Sequence, residues 1–349
     1  MNLFQNIDTQ THFIENGYVV LDVLSQTEIH NLTQYYYQSN LISSQKTGFS
    51  VSMDHESHEK NKEIRDHIFN TILPMLNVHL TDFKPYVASY VNKFPSDKSW
   101  VPLHQDWSFV DDEDQGFQSV TCWTALVDTT IENGCMTIVP KSHKILRNHR
   151  PSPSPQTPAP LGPLMFELFP YSKPICMKAG QTLFFDNRTF HASGPNFSNE
   201  DRLAVGIGIT QKSANLIHYY LKPNNRQDTL LKYSVDTDFF LSNNNARLSS
   251  LYNDNLTPTG IPCLGEVTFE PKVIDKESLI RQFEENGLHY DPLLDFAGIS
   301  NEQERDVESE SYNEKSKENP ISFFRLYTPK NIVKEIALRL GIYYKIWQK

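Results

Sequence analysis

Apolar residues recur along this chain at two different periods, and the change from one to the other divides it. Residues 9–76 carry stretches with the 3.6-residue spacing of amphipathic helices, clearest at 26–37. From about residue 86 the pattern changes to short extended runs bounded by turn residues, and 86–94, 119–127, 182–186 and 203–209 read as strands. A proline-rich run, Arg150-Pro151-Ser152-Pro153-Ser154-Pro155-Gln156-Thr157-Pro158-Ala159-Pro160, interrupts them. It has too few amide donors for a helix or a central strand, so it must be a loop. An ordered long loop inside a compact domain often serves as a lid, and this one reads as a lid.

After residue 209 the strand pattern fades. Residues 276–286 read as a helix, and 300–320 hold seven acidic and three basic side chains with almost nothing apolar, the composition of a solvated linker. Beyond Pro329, Val333, Ile336, Ala337, Leu340, Tyr343, Tyr344 and Trp347 fall at helical spacing among Lys330, Lys334, Arg339, Lys345 and Lys349. Such a helix docks on the body of its own protein or on a carrier-protein or membrane surface. The expected divisions are an N-terminal helical flank at 1–80, a core at 81–215, a packed extension at 216–299, an acidic linker at 300–320 and an amphipathic helix at 321–349.

Two segments of the core carry chemistry. In His104-Gln105-Asp106, an H-x-D step along a strand turns one imidazole and one carboxylate to the same face. His191, after the strand at 182–186, supplies a second imidazole from a distant strand. Two histidines and one carboxylate form the facial set that leaves three cis positions open on Fe(II): two suit a chelating 2-oxo acid and the third suits O2. Arg202 follows His191 through a turn-rich run, and a hairpin there would bring its guanidinium back beside His191, suited to grip the far carboxylate of a dicarboxylate. A second H-x-D, His289-Tyr290-Asp291, follows the helix-like stretch 276–286 and reads as a structural loop pair.

At this point the sequence resembles the phytanoyl-CoA dioxygenase family of Fe(II)- and 2-oxoglutarate-dependent oxygenases. The likeness runs in order through Val91-Asn92-Lys93-Phe94-Pro95, Pro102-Leu103-His104-Gln105-Asp106, Cys122-Trp123-Thr124-Ala125, Glu132-Asn133-Gly134-Cys135, Val139-Pro140-Lys141-Ser142-His143-Lys144, Gly180-Gln181-Thr182-Leu183-Phe184-Phe185 and His191-Ala192-Ser193-Gly194-Pro195-Asn196 up to Arg202. The opening stretch 13–21 is similar to the helix and strand with which such proteins begin. The resemblance implies a mainly β fold with flanking helices (α+β): a double-stranded β-helix, the cupin-like jelly roll, with N-terminal helices and a helical C-terminal extension. It implies His104, Asp106 and His191 as iron ligands, and Arg202, Ser193, Trp123 and Ser89 as contacts of 2-oxoglutarate. His143 belongs to the family pattern as a loop residue, not a ligand. Related halogenases replace the carboxylate with a small residue, so a chain that keeps Asp106 is expected to hydroxylate a C–H bond, with release of succinate and CO2. The competing expectation is a non-catalytic or non-oxidative cupin-like protein that binds a metal or small molecule.

Composition narrows the remaining classes. The net charge of −10 argues against nucleic acid as a partner, because the phosphate backbone rewards basic faces. The 349 residues contain no run of eighteen apolar positions and no basic start, so neither secretion nor a transmembrane segment is expected. Cys122, Cys135, Cys176 and Cys263 lack C-x-x-C pairing and sit mostly in apolar runs, which predicts buried thiols and a reduced cytoplasmic setting. Trp107, Phe109 and Arg188 are expected on the side of a small-molecule substrate, Arg188 pairing with a carboxylate or phosphate.

Overall fold

The computed structural model describes residues 2–39, 48–112, 116–162, 164–223, 228–270 and 274–296. The acidic linker and the basic amphipathic helix expected after residue 299 lie outside the described residues.

The chain opens with α1 (Ile7–Asn16), capped by the Asn6 side chain on the Thr9 amide and closed by Gly17 in the left-handed region. Strand β1 (Tyr18–Asp22) leads to α2 (Gln26–Gln38), whose start is a capping box in which Ser25 and Glu28 satisfy each other's backbone amides. After β2 (Phe49–Val51) comes α3 (His58–Leu76), with Ile64, Ile68, Ile72 and Leu76 buried four residues apart on one stripe. Strands β3 (Phe83–Lys93), β4 (Val101–His104), β5 (Ser119–Ala125) and β6 (Met136–Ile138) follow. The short α4 (Leu164–Glu167) precedes β7 (Lys173–Ile175), β8 (Gln181–Asp186), β9 (His191–Ser193) and β10 (Arg202–Gln211). The extension contributes β11 (Ile217–Leu221), β12 (Thr229–Ser234), α5 (Thr237–Ser242), α6 (Asn245–Asn253), β13 (Cys263–Thr268) and α7 (Lys276–Glu285).

Three antiparallel sheets result. One has six strands in the order β1-β8-β5-β10-β3-β2, one has four in the order β4-β9-β6-β7, and one joins β11, β12 and β13. Strand alternation assigns the faces of the large sheet. Ala88, Tyr90, Cys122, Phe184, Leu203, Val205 and Ile207 face outward into a core shared with α1, α2 and α3. Val91, Trp123, Ala125, Leu183, Phe185 and Ala204 face inward and pack on Met136, Ile138 and Ile175 of the four-stranded sheet. The outer side of that second sheet is sealed by α4, α7 and the segment ending at Phe296. Two sheets over one core, flanked by helices, form the jelly-roll architecture that the resemblance implies. Both edges of the large sheet, β1 and β2, come from the N-terminal region read from sequence as a helical flank.

The expected hairpin between His191 and Arg202 does not form. β9 lies in the four-stranded sheet between β4 and β6, whereas β10 lies in the six-stranded sheet between β5 and β3. Residues 194–201 therefore cross from one sheet to the other, and Arg202 reaches the interior from the opposite wall. A turn-rich run marks a change of direction but not which sheet receives the next strand. The cysteine expectation also needs correction: Cys122 and Cys135 are buried, but Cys176 and Cys263 are exposed. Cys176 follows a three-residue edge strand too short to be covered on both faces.

Candidate metal and cosubstrate site

His104 and His191 are directly opposed across the β4–β9 ladder, which places both imidazoles on one face. Their ring centres are 4.2 Å apart. The Asp106 amide bonds the Asn187 carbonyl at 3.1 Å, so the chain stays extended past the end of β4 and the carboxylate turns to the same point. Asp106 Oδ1 is 3.6 Å from His191 Nε2 and 3.9 Å from His104 Nε2. One ligand atom from each residue lies within 4.8 Å of the other two, a spacing that one ion can bridge.

Hydrogen bonding fixes which nitrogen each ring presents. His104 Nδ1 donates to the Pro102 carbonyl at 2.9 Å, and His191 Nδ1 donates to the Thr189 carbonyl at 2.9 Å. Each Nε2 is left with its lone pair toward Asp106, the tautomer a metal requires. Burial and the neighbouring His104 pull the pKa of His191 down to about 4, so its imidazole is neutral at physiological pH. The Thr121 hydroxyl sits between Asp106 Oδ2 at 3.2 Å and Asn187 Oδ1 at 2.9 Å, which leaves Oδ1 as the inward oxygen. The side chain of His191 is 5 % exposed, against 38 % for His104 and 28 % for Asp106, so the three groups are open from one side only.

Arg202 lies deeper, fully buried, with its guanidinium 4.9 Å from the centre of the Trp123 ring. Nη1 donates to the Gly134 carbonyl, while Nε and Nη2 have no hydrogen-bond partner among the described residues. Burial lowers its pKa to about 10, which still leaves it cationic at neutral pH. Lys93, on the inward face of β3 with Ser89 and Val91, is a second buried basic side chain. Its Nζ donates to the carbonyls of Ser99 at 2.6 Å, Gly194 at 2.5 Å and Ser193 at 3.3 Å, and burial beside Arg202 drives its pKa well down. Gly134 adopts φ +72°, and a Cβ there would stand 2.4 Å from the Gly194 carbonyl oxygen, so only glycine admits this approach. A buried guanidinium with unpartnered donors on its planar fork fits a bidentate carboxylate.

The remaining expected residues divide. Ser193 is buried at the end of β9, on the same face as His191. Ser89 is buried opposite Gly206 of β10. Trp107 and Phe109 line a cavity of about 290 Å³ that also reaches His104 and Asp106. Arg188 does not line it. Arg188 forks instead onto Asp186, Nε to Oδ1 at 2.9 Å and Nη2 to Oδ2 at 2.7 Å, inside the protein. Its expected substrate-side position is thus corrected to an internal ion pair. His143 is a buried loop residue whose Nε2 donates to the Ile14 carbonyl at 3.1 Å.

The proline-rich run does border the mouth: Arg150, Pro151, Ser154 and 157–161 line the same cavity. It is tied down, however. Ser152 exchanges backbone bonds with Tyr219 and Leu221, Asn245 bonds both the amide and the carbonyl of Ser154, and Gln156 bonds Ser249. Sequence reading passed over Lys93 and Thr121 as site residues. The signal for both was their parity with Ser89 and Trp123 on inward strand faces.

A family model described as phytanoyl-CoA dioxygenase matches residues 13–204, more than half of the chain, and the chain belongs to that family. A phytanoyl-CoA dioxygenase of Arabidopsis thaliana is 28 % identical over 171 residues, 45 % of this chain and 56 % of that protein. The peroxisomal phytanoyl-CoA dioxygenase of Bos taurus is 28 % identical over 141 residues, 39 % of this chain and 40 % of that protein. The chain thus spans about half the length of the curated relatives it matches. Among solved structures, the non-heme alpha ketoglutarate dependent carbocyclase SnoK from nogalamycin biosynthesis is 21 % identical, with a TM-score of 0.45 over 60 % of this chain and 86 % of its own. No helix among the described residues is long and apolar enough to cross a membrane.

Proposed function

We propose that this protein is an Fe(II)- and 2-oxoglutarate-dependent dioxygenase that hydroxylates an unactivated C–H bond of a small metabolite. The observation that carries this reading is the pairing of a metal-sized His104–Asp106–His191 cluster with a buried, under-bonded Arg202. Fe(II) held there would supply the activation of O2, coupled to oxidative decarboxylation of 2-oxoglutarate to succinate and CO2.

The chain's own residues supply the rest. Pro102 and Thr189 carbonyls orient the two imidazoles, and Thr121 turns the Asp106 carboxylate. The Arg202 fork would hold the distal carboxylate of 2-oxoglutarate, with Ser193 and Ser89 on the same interior surface and Trp123 against the guanidinium. Lys93 fixes the Ser193–Gly194 backbone by donating to its carbonyls. Trp107 and Phe109 would press the substrate toward the metal and keep water out.

The test is succinate formation from 2-oxoglutarate by purified protein with Fe(II) and ascorbate, with and without a hydrophobic substrate panel. Succinate in the iron-loaded protein and not in the chelated one is expected. Iron binding without any 2-oxoglutarate consumption would favour a binding protein of the same fold.

A further inference from the structure

The cavity beside the triad has a chemistry of its own. Its walls set Trp107, Phe109, Met165 and Phe269 beside the neutral polar Asn148 and Thr157, and the side chains on it that can carry charge are His104, Asp106, His149 and Arg150. His104 and Asp106 belong to the metal corner. His149 lays its ring on Tyr219, with centres 4.5 Å apart. Arg150 is already matched: it is ion-paired with Asp112, their side chains 3 % and 2 % exposed, and its Nε donates to the Asp106 carbonyl at 2.7 Å. Among the described residues, an anionic group entering here would lose its hydration and meet no uncommitted permanent cation. The volume, about 290 Å³, falls just short of the roughly 300–1,000 Å³ of small-molecule sites.

Phe269 is the second part of the observation. It follows β13, more than sixty residues beyond the family-matched stretch, and is buried against Ile217, Tyr219 and Leu221 of β11 while also lining the cavity. The extension thereby supplies a wall to a site whose metal corner lies in the core.

We propose that the substrate is an uncharged, largely hydrocarbon molecule, and that Phe269 is a specificity-determining residue for it. This deepens the dioxygenase reading and rests on it. Matched probes separate the chemistry: decan-1-ol, decanoate and decanoyl-coenzyme A, titrated calorimetrically into the full chain. The alcohol should bind about tenfold or more tightly than decanoate, the difference that an unpaired buried anion imposes, and no less tightly than the thioester. Phe269→Leu and Phe269→Ala should move the tightest-binding alcohol to a longer homologue, with decanoate still excluded. Thermal melting by circular dichroism shows which variants remain folded, and Phe269→Leu keeps most of the buried apolar surface.

Tighter binding of decanoate or decanoyl-coenzyme A would overturn the proposal. So would the absence of alcohol binding, or an unaltered chain-length ranking in the folded Phe269 variants. Titrating 2-oxoglutarate into the same metal-loaded samples keeps the two readings apart: its failure to bind would sink the dioxygenase reading, whatever the alcohols do.

Discussion

The Arg202 guanidinium lies 4.9 Å over the Trp123 ring, a fully buried cation that the described residues give one hydrogen bond and no carboxylate. Its two unpartnered nitrogens cost stability in the free protein, at about 1–3 kcal/mol for each buried unsatisfied donor. Arg202→Met should therefore leave melting in the absence of cosubstrate unchanged or raise it. The same variant should weaken 2-oxoglutarate binding by about 2–5 kcal/mol. A calorimetric titration and a melting curve on one sample check both. Unchanged affinity would make Arg202 a structural residue.

Metal loading should stabilise the protein through His104, Asp106 and His191. At a hundredfold excess over Kd, a bound ion adds about 2.7 kcal/mol, visible as a rise in Tm that a chelator reverses. His191→Ala and Asp106→Ala should each lose that rise. A full metal-dependent shift in either variant would place the ion elsewhere.

Asp106 should also decide the reaction type. With a carboxylate in the triad, turnover should not depend on chloride, and mass spectrometry should find an oxidised product without chlorine. Asp106→Ala should abolish or strongly reduce oxidation, since the metal loses a ligand and a negative charge. A chloride-requiring wild type would refute the assignment.

Thr121 should act through Asp106. Losing such an outer partner typically costs about 10- to 100-fold in metal affinity or activity, so Thr121→Val should fall by that order and Thr121→Ser should recover most of it. Fe(II) titration of the two variants decides; equal affinities would limit the hydroxyl to packing.

Acid should unfold the metal-free protein through two buried histidines. Burial pulls the pKa of His191 down to about 4 and that of His218 to about 3, against 6.5 for an unperturbed imidazole. Below about pH 6.5 the unfolded chain binds protons that the folded chain refuses, so stability falls as the pH drops and levels off only below the folded-state values. At about 1.36 kcal/mol per unit, each histidine accounts for a few kcal/mol of that loss. Denaturant melts from pH 7 to pH 4 should show the fall. Replacing His218, which is bonded to Ser152, with Gln should flatten part of it without changing metal affinity.

Much of the centre could be read from sequence because strand alternation is a local rule. An H-x-D at the end of β4 and a histidine opening β9 need only one ladder to bring them together, and His104 is registered on His191. The path from His191 to Arg202 is not legible locally, because sheet membership is a long-range property. Arg188 finds its partner two residues back, in Asp186, a pairing that the substrate-side expectation does not weigh. Lys93 sits in a strand motif, and a lysine there reads as solvent-facing until the second sheet is seen to cover it. Nothing local distinguishes Phe269 from an ordinary core aromatic.

The proline-rich run is laced to β11 and α6, and Phe269 reaches back to the same cavity from beyond β13. Inheritance could then act on the two halves separately. The stretch carrying the triad and Arg202 would keep its reaction while the later stretch drifted, so that relatives sharing one chemistry came to act on different molecules. Exchanging residues beyond 211 between such relatives would change the wall that Phe269 supplies and leave the oxidising apparatus where it was.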